Sequence, residues 1–205
     1  MNETDMYDQF SKDYDRFVDW DARLAAEIPF LTTELLQINN QAHGEISVLD
    51  AACGTGQHAI ALTKAGFDCS GADYSEQMIA LARQNAQNAG ADLVFKPAGF
   101  GELTRAFGKA SFDALICLGN SLPHILEKSA LESAQADFRS VLKPGGKLII
   151  QNRNYDLALE EHNRWMAPQT YREGERTWIF VRFYDFDADG LLTFNIKILF
   201  SERGS

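Results

Sequence analysis

From Ile46 onward the hydrophobic period switches repeatedly between that of a strand and that of a helix, which restricts this stretch to a parallel α/β sheet. ISVLDAA reads as strand, QHAIALTKAG as helix, DCSGADY as strand, SEQMIALARQNAQNAG as helix and DLVFKPAG as strand. Parallel strands joined through helices need right-handed crossovers, and few topologies satisfy that. The boundary residues agree: Ser75 is placed as an N-cap with Glu76 in the first turn, and Gly66 and Gly90 stand where helices should stop. FDALICLG follows as a fourth strand. The next helix has Ser129 and Glu132 at capping-box spacing, and Leu131, Ala134, Phe138 and Val141 form its buried stripe. Lys143, Pro144, Gly145 and Gly146 end it, and GKLIIQNR supplies a fifth strand.

The flanks differ in character. Tyr7, Phe10, Tyr14, Phe17 and Val18 recur at helical spacing among acidic and polar residues, and a second helical stretch runs from about Arg23 to Ile38, with Pro29 marking a kink or joint. Together they predict an amphipathic helical cover. After a short helical segment near Asp156 to His162 the period drops to two, and Thr177 to Phe186 and Leu191 to Phe200 flank the turn signal Asp189, Gly190 as a hairpin. The expected organisation is a helical cover over 1–40, a ligand-binding core over 41–155 and a hairpin cap over 156–205. No further strand or helix covers the hairpin before Ser205, which leaves two readings: a shortened chain, or an edge covered by a second chain, so that a homo-oligomer is compatible with the sequence.

Composition removes several function classes. At 205 residues, 45% hydrophobic and 23% charged, the chain is a folded soluble protein by default. No apolar run approaches the ~18 residues that span a bilayer, and MNETDMYDQF has neither a basic nor an apolar leader region. A net charge of −10 disfavours a partner recognised through its phosphate backbone. Cys53, Cys69 and Cys117 lie in or beside strand-like runs without metal-ligand spacing, and read as reduced core residues of a cytoplasmic protein with no metal site.

The chemistry concentrates in LDAACGTGQHA, where a strand ends at Asp50 and a glycine loop, Gly54 to Gly56, opens a helix. A glycine pair alone marks nothing more than a tight strand-to-helix turn. Asp50 and Asp73, however, place carboxylates at the ends of successive strands, where open α/β sheets bind ligands. Charge then selects the ligand. Asp50 would repel a pyrophosphate, whereas S-adenosylmethionine has no phosphate, carries an ammonium and a sulfonium, and offers ribose hydroxyls to Asp73.

With those residues the sequence resembles the class I S-adenosylmethionine-dependent methyltransferases, and is most similar to the glycine N-methyltransferase and glycine/sarcosine methyltransferase group. LDAACGTG, CLGNSLPHI and VLKPGGKLIIQNRNYD carry the resemblance, over roughly Ile46 to Asp156. It implies a doubly wound Rossmann-like sheet in order 3-2-1-4-5 with a C-terminal antiparallel hairpin, and S-adenosylmethionine as cofactor. By the same resemblance Asp50, Ala51 and Gly54 line the methionine end, Asp73 the ribose, Met78 the adenine face and Leu118 the adenosyl group. Where the group carries an Asn or Asp at the third strand's end, this chain has Gly99 followed by Phe100, so the adenine contact there falls to backbone or water. Tyr14, Trp20 and Arg23 are implied to close over the cofactor, with Arg23 on its carboxylate, although a stripe of Tyr7, Phe10, Tyr14 and Phe17 is also ordinary core. Arg153 is implied to hold the carboxylate of a glycine-like amino acid and Asn120 its nitrogen, with Tyr155 in support. The bland alternatives are an ion pair of Arg153 with Asp156 or Glu160 and a turn role for Asn120. His58 and His124 read as a helix-surface residue and a loop residue.

The expected activity is methyl transfer to a small molecule, at the nitrogen of a glycine-like amino acid. The rivals are a methyltransferase for another small acceptor and a non-catalytic cofactor-binding module. A nucleic-acid methyltransferase is disfavoured, because LGNSLPH is not an Asn-Pro-Pro-aromatic segment and no basic face is present.

Overall fold

The structure is a computed structural model that describes residues 11, 13–38 and 46–202. Tyr7 and Phe10 lie outside the described residues. Residues 13–17 are helical and lead to α1 (Trp20–Leu36), whose N-cap Asp19 accepts a hydrogen bond from Ala22 N at 3.1 Å. Then follow β1 (Ser47–Ala51), α2 (Gln57–Lys64), β2 (Asp68–Asp73), α3 (Glu76–Ala89), β3 (Val94–Pro97), α4 (Leu103–Phe107), β4 (Phe112–Cys117), α5 (Lys128–Val141) and β5 (Leu142–Ile150). The chain continues through α6 (Tyr155–Glu161), β6 (Gln169–Glu173), β7 (Arg176–Phe186) and β8 (Leu192–Glu202).

Strands β1 to β5 form one parallel sheet, as the alternating pattern predicts, in the order β3-β2-β1-β4-β5 that the resemblance implies. The central strands β1 and β4 are covered on both faces and are almost wholly buried, which is why they read as continuous apolar runs rather than as alternation. Successive side chains of β1 still point to opposite faces. Val48 enters a core with Leu31, Leu35, Leu62 and Ile79, while Leu49 and Ala51 enter a second core with Leu103, Leu115 and Phe138. By this parity Asp50 shares the face of Val48, the face that α1 and α2 cover.

By contact density the described residues make two compact units, one within 1–15 and 19–152, the other within 16–18 and 153–205. In the second unit β6, β7 and β8 form an antiparallel sheet, so the expected hairpin gains a third strand, Gln169↔Phe180 through Glu173↔Arg176. Its core is Phe180, Tyr184 and Trp178, with Phe17 edge-on to Phe180 at 5.5 Å and the Arg16 guanidinium 4.6 Å over the Trp178 ring.

Three local expectations need correction. Pro29 makes no joint: it sits inside α1, which Leu31 and Leu35 hold by burial despite the hydrogen bond a proline cannot donate. Ser129 is no cap, because α5 begins at Lys128 with Glu127 as an N-cap that makes no side-chain bond; Lys128 instead pairs with Glu132 one turn on, at 3.8 Å. Lys143 to Gly146 do not separate α5 from β5 but belong to the strand, where the ladder passes from Phe112↔Leu142 to Ala114↔Lys147 across an irregularity that absorbs the extra residues. Among the described residues no helix is long and apolar enough to cross a membrane.

Candidate functional site

The turn from β1 into α2 holds Ala52, Gly54 and Gly56 in the left-handed region, at φ of 61°, 54° and 79°. Ala52 has a Cβ and bears a strain of roughly 1 kcal/mol there. The two glycines have different reasons. A Cβ on Gly56 would lie 2.7 Å from the Phe95 ring, so this glycine serves packing between α2 and β3. A Cβ on Gly54 would meet the Tyr14 ring first, at 3.6 Å, so the Gly54 backbone faces the Tyr14 ring.

Two carboxylates flank that turn and are treated in opposite ways. Asp73 is braced: its Oδ2 accepts from Gly54 N at 2.9 Å and its Oδ1 from Ser75 N at 3.0 Å, and Ser75 in turn caps α3 through Met78 N. Asp50 is 2% exposed, and its Oδ2 has no hydrogen-bond partner among the described residues. Burial pushes the Asp50 carboxyl up to about 6; the nearby Asp73 charge adds to the rise, while His58, the Ala59 backbone and Arg23 oppose it. An orphaned carboxylate oxygen buried at a strand end is a receptor for a cation, and an ammonium group fits it.

The segment before α1 closes on the same turn. Asp15 Oδ1 accepts from Thr55 Oγ1 at 2.6 Å and from Trp20 Nε1 at 2.9 Å, and Asp15 Oδ2 accepts from Asn85 Nδ2 at 3.1 Å. This carboxylate ties the segment to the glycine loop, to α1 and to α3. Tyr14 is half-buried there, and its hydroxyl is pushed up to about 12, chiefly by desolvation and partly by Asp73, Asp15 and Asp50, with Arg23 opposing. Trp20 lies edge-on to the His58 ring at 5.5 Å. Arg23 donates from Nε to Glu27 at 3.1 Å and from Nη2 to Gln151 Oε1 at 3.3 Å, beside Gly119, while its Nη1 makes no hydrogen bond to any described residue.

Of the remaining sequence-predicted residues, Ala51 and Leu118 send their side chains into the two cores, so only their backbones can meet a ligand. Met78 is buried in the first turn of α3. Gly99 donates its N–H to Glu102 Oε2 at 3.1 Å, and Phe100 packs edge-on against Phe138, again leaving backbone. Asn120 follows Gly119 in a second left-handed position, at φ of 68° after 77°. Arg153 belongs to the other unit, where its Nη1 donates to Tyr184 Oη at 3.1 Å and approaches Met166 Sδ, and its guanidinium lies 5.7 Å from the Phe194 centroid. There Tyr155, half-buried, is raised by burial and by Tyr184, against Arg153.

Sequence reading missed four side chains. His58 is not on the surface but 4% exposed, its Nε2 2.6 Å from Glu27 Oε2. Nothing in α2 announces this, because the cover comes from α1. Glu27 stands four residues after Arg23, a spacing that signals an ion pair on one helix face. Gln151 links Glu27 to Gly119 N, and Glu102 brings an acidic group to the end of β3, three residues beyond Gly99. The cysteines are buried thiols; burial pushes Cys69 and Cys117 up to about 12 and Cys53 well up, as core residues require.

Comparison with known proteins adds to this geometry. A family model described as a methyltransferase domain matches residues 48–146. The glycine/sarcosine N-methyltransferase of Halorhodospira halochloris is 35% identical over 202 residues, covering 96% of this chain and 72% of that protein. That of Parasynechococcus marenigrum (strain WH8102) is 42% identical over 165 residues, covering 78% of this chain. The chain spans 56% of the length of the Parasynechococcus protein and 55% of the Aphanothece halophytica one. The solved structure of Streptomyces venezuelae DesVI superposes with a TM-score of 0.67 at 22% identity, over 98% of this chain and 83% of that one, a likeness of fold alone.

Proposed function

The chain belongs to the S-adenosylmethionine-dependent methyltransferases, related to the glycine/sarcosine N-methyltransferases, and from that premise we propose that it methylates a small molecule at the nitrogen of a glycine-like amino acid. The observation that carries the donor half is the orphaned, buried Asp50 oxygen at the end of β1, which suits the donor's ammonium. The acceptor half rests on the relatives' named activity and on the chemistry of Asn120 and Arg153.

When bound, S-adenosylmethionine supplies a methyl group already activated by a sulfonium, so the protein has to align and to exclude water. Asp50 binds the ammonium, Arg23 Nη1 the carboxylate and Asp73 the ribose hydroxyls. Met78 flanks the adenine, and the backbones of Ala51, Gly54, Gly99, Phe100 and Leu118 line the remainder. Tyr14 and Trp20 keep water out, with Asp15 holding their segment down. Asn120 orients the acceptor amine through its side-chain oxygen without protonating it, so the nitrogen lone pair stays available. Arg153 offers a planar fork to the acceptor's carboxylate, its orientation set by Tyr184 and Phe194.

Methyl transfer from labelled donor to glycine, sarcosine and amines lacking a carboxylate tests this reading. Glycine or sarcosine should be methylated, and Arg153→Lys, which keeps the charge but loses the fork, should lower kcat/KM for them by roughly tenfold or more. Donor affinity should be unchanged. Equal turnover of all acceptors by Arg153→Lys and wild type refutes the amino-acid acceptor, and absence of donor binding refutes the whole reading.

A further inference from the structure

Gln151, the first residue after β5, is wired to both sides of the proposed site. Its Nε2 donates to Glu27 Oε1 at 2.7 Å, and its Oε1 accepts from Arg23 Nη2 at 3.3 Å and from Gly119 N at 3.2 Å. Its backbone oxygen accepts from Asn120 N at 3.4 Å, and its own N–H is held by Cys117 O at 3.0 Å. The amide has one workable orientation. Glu27 is held down to about 2, because hydrogen bonds from His58 and Gln151 and the Arg23 charge outweigh its burial, so its oxygens only accept and the Gln151 amino group must face them. The Gln151 oxygen is thereby turned toward Gly119 and Arg23. Gly119 and Asn120 are consecutive left-handed residues, a conformation that persists only where surrounding bonds over-determine it, and Gln151 supplies one to each.

Resting on the proposed function, we propose that Gln151 is a positioning residue that couples the donor anchor to the acceptor loop. One amide oxygen fixes Arg23 and, with the backbone oxygen, the turn that presents Asn120. A glutamine rather than an acid is needed, because the residue must donate to one carboxylate while accepting from two N–H groups.

Moving the amide across the hydrogen bond tests this. Gln151→Glu keeps the shape and the acceptor oxygens but sets a second carboxylate against Glu27. It should weaken donor binding by calorimetry, and raise the acceptor KM, by roughly tenfold or more. Adding Glu27→Gln restores one carboxylate and one amide to the pair, and donor affinity should return to within about threefold of wild type. Thermal midpoints taken in parallel show that each variant is folded. Unchanged donor affinity and KM in Gln151→Glu overturn the proposal, as does a double variant no better than the single, which would mark a structural role only. A wild-type chain that binds no donor overturns the proposed function, and this inference with it.

Discussion

Asp50→Asn is expected to make the ligand-free chain more stable at neutral pH and to cost it the donor. Burial raises the Asp50 carboxyl from its ordinary 3.8 to about 6, so the folded state holds this proton more tightly than the unfolded chain does. An acid raised in this way contributes stability that is complete below pH ~4 and is lost as pH rises through ~6, because the ionised form must then be buried. Over some two pH units the loss amounts to about 3 kcal/mol. Asparagine has the same shape and no charge to bury. At pH 7.5 the variant should melt roughly 5–10 °C higher than wild type, and at pH 4 the two should nearly coincide. Donor affinity should fall about 100-fold or more, since the ammonium loses its counter-charge. Wild-type binding at pH 5.5 should also release protons, seen as a buffer-dependent heat in calorimetry, because a cation beside Asp50 drives it to ionise. A variant less stable than wild type at pH 7.5, or one that binds the donor as well, would refute the assignment of Asp50.

The residues at the strand ends were legible because chain order determines them. Alternating periods imply parallel strands, parallel strands bring their C-terminal ends to one edge, and Asp50 and Asp73 follow from where β1 and β2 stop. What sequence could not show arises where one element is judged by its neighbour. His58 reads as a surface residue on α2 alone, yet Glu27 and Trp20 from α1 pack against it and it is buried. QTYRE carries no apolar alternation because β6 is a mostly exposed edge, so its pairing with β7 was invisible. Gln151 lies within the QNRNYD segment, yet its role depends on Glu27, 124 positions away in sequence.

The same substitution one strand away should move stability in the opposite direction. Asp73 ends β2 beside β1, and its two oxygens accept from Gly54 N and Ser75 N, so the carboxylate is part of the wall that shapes the glycine loop and starts α3. Asp73→Asn turns one acceptor into a donor, and whichever way the amide faces, its amino group meets a backbone N–H that has lost its partner. Hydrogen bonds to a charged group contribute about 1.5–3 kcal/mol each, so unfolding in urea should show a loss of roughly 3 kcal/mol. Asp73→Ala should lose a similar amount, since it leaves both N–H groups unanswered. Donor affinity should fall by at least about 1.5–3 kcal/mol, the contribution of one charge-assisted bond to the ribose, and further where the second bond is lost or the loop relaxes. The two Asp→Asn variants therefore form a paired test: Asp50→Asn stabilises and Asp73→Asn destabilises, while both abolish tight donor binding. If Asp73→Asn proves as stable as wild type, the brace is not what holds Gly54. If it binds the donor at full strength, the ribose contact belongs to another residue.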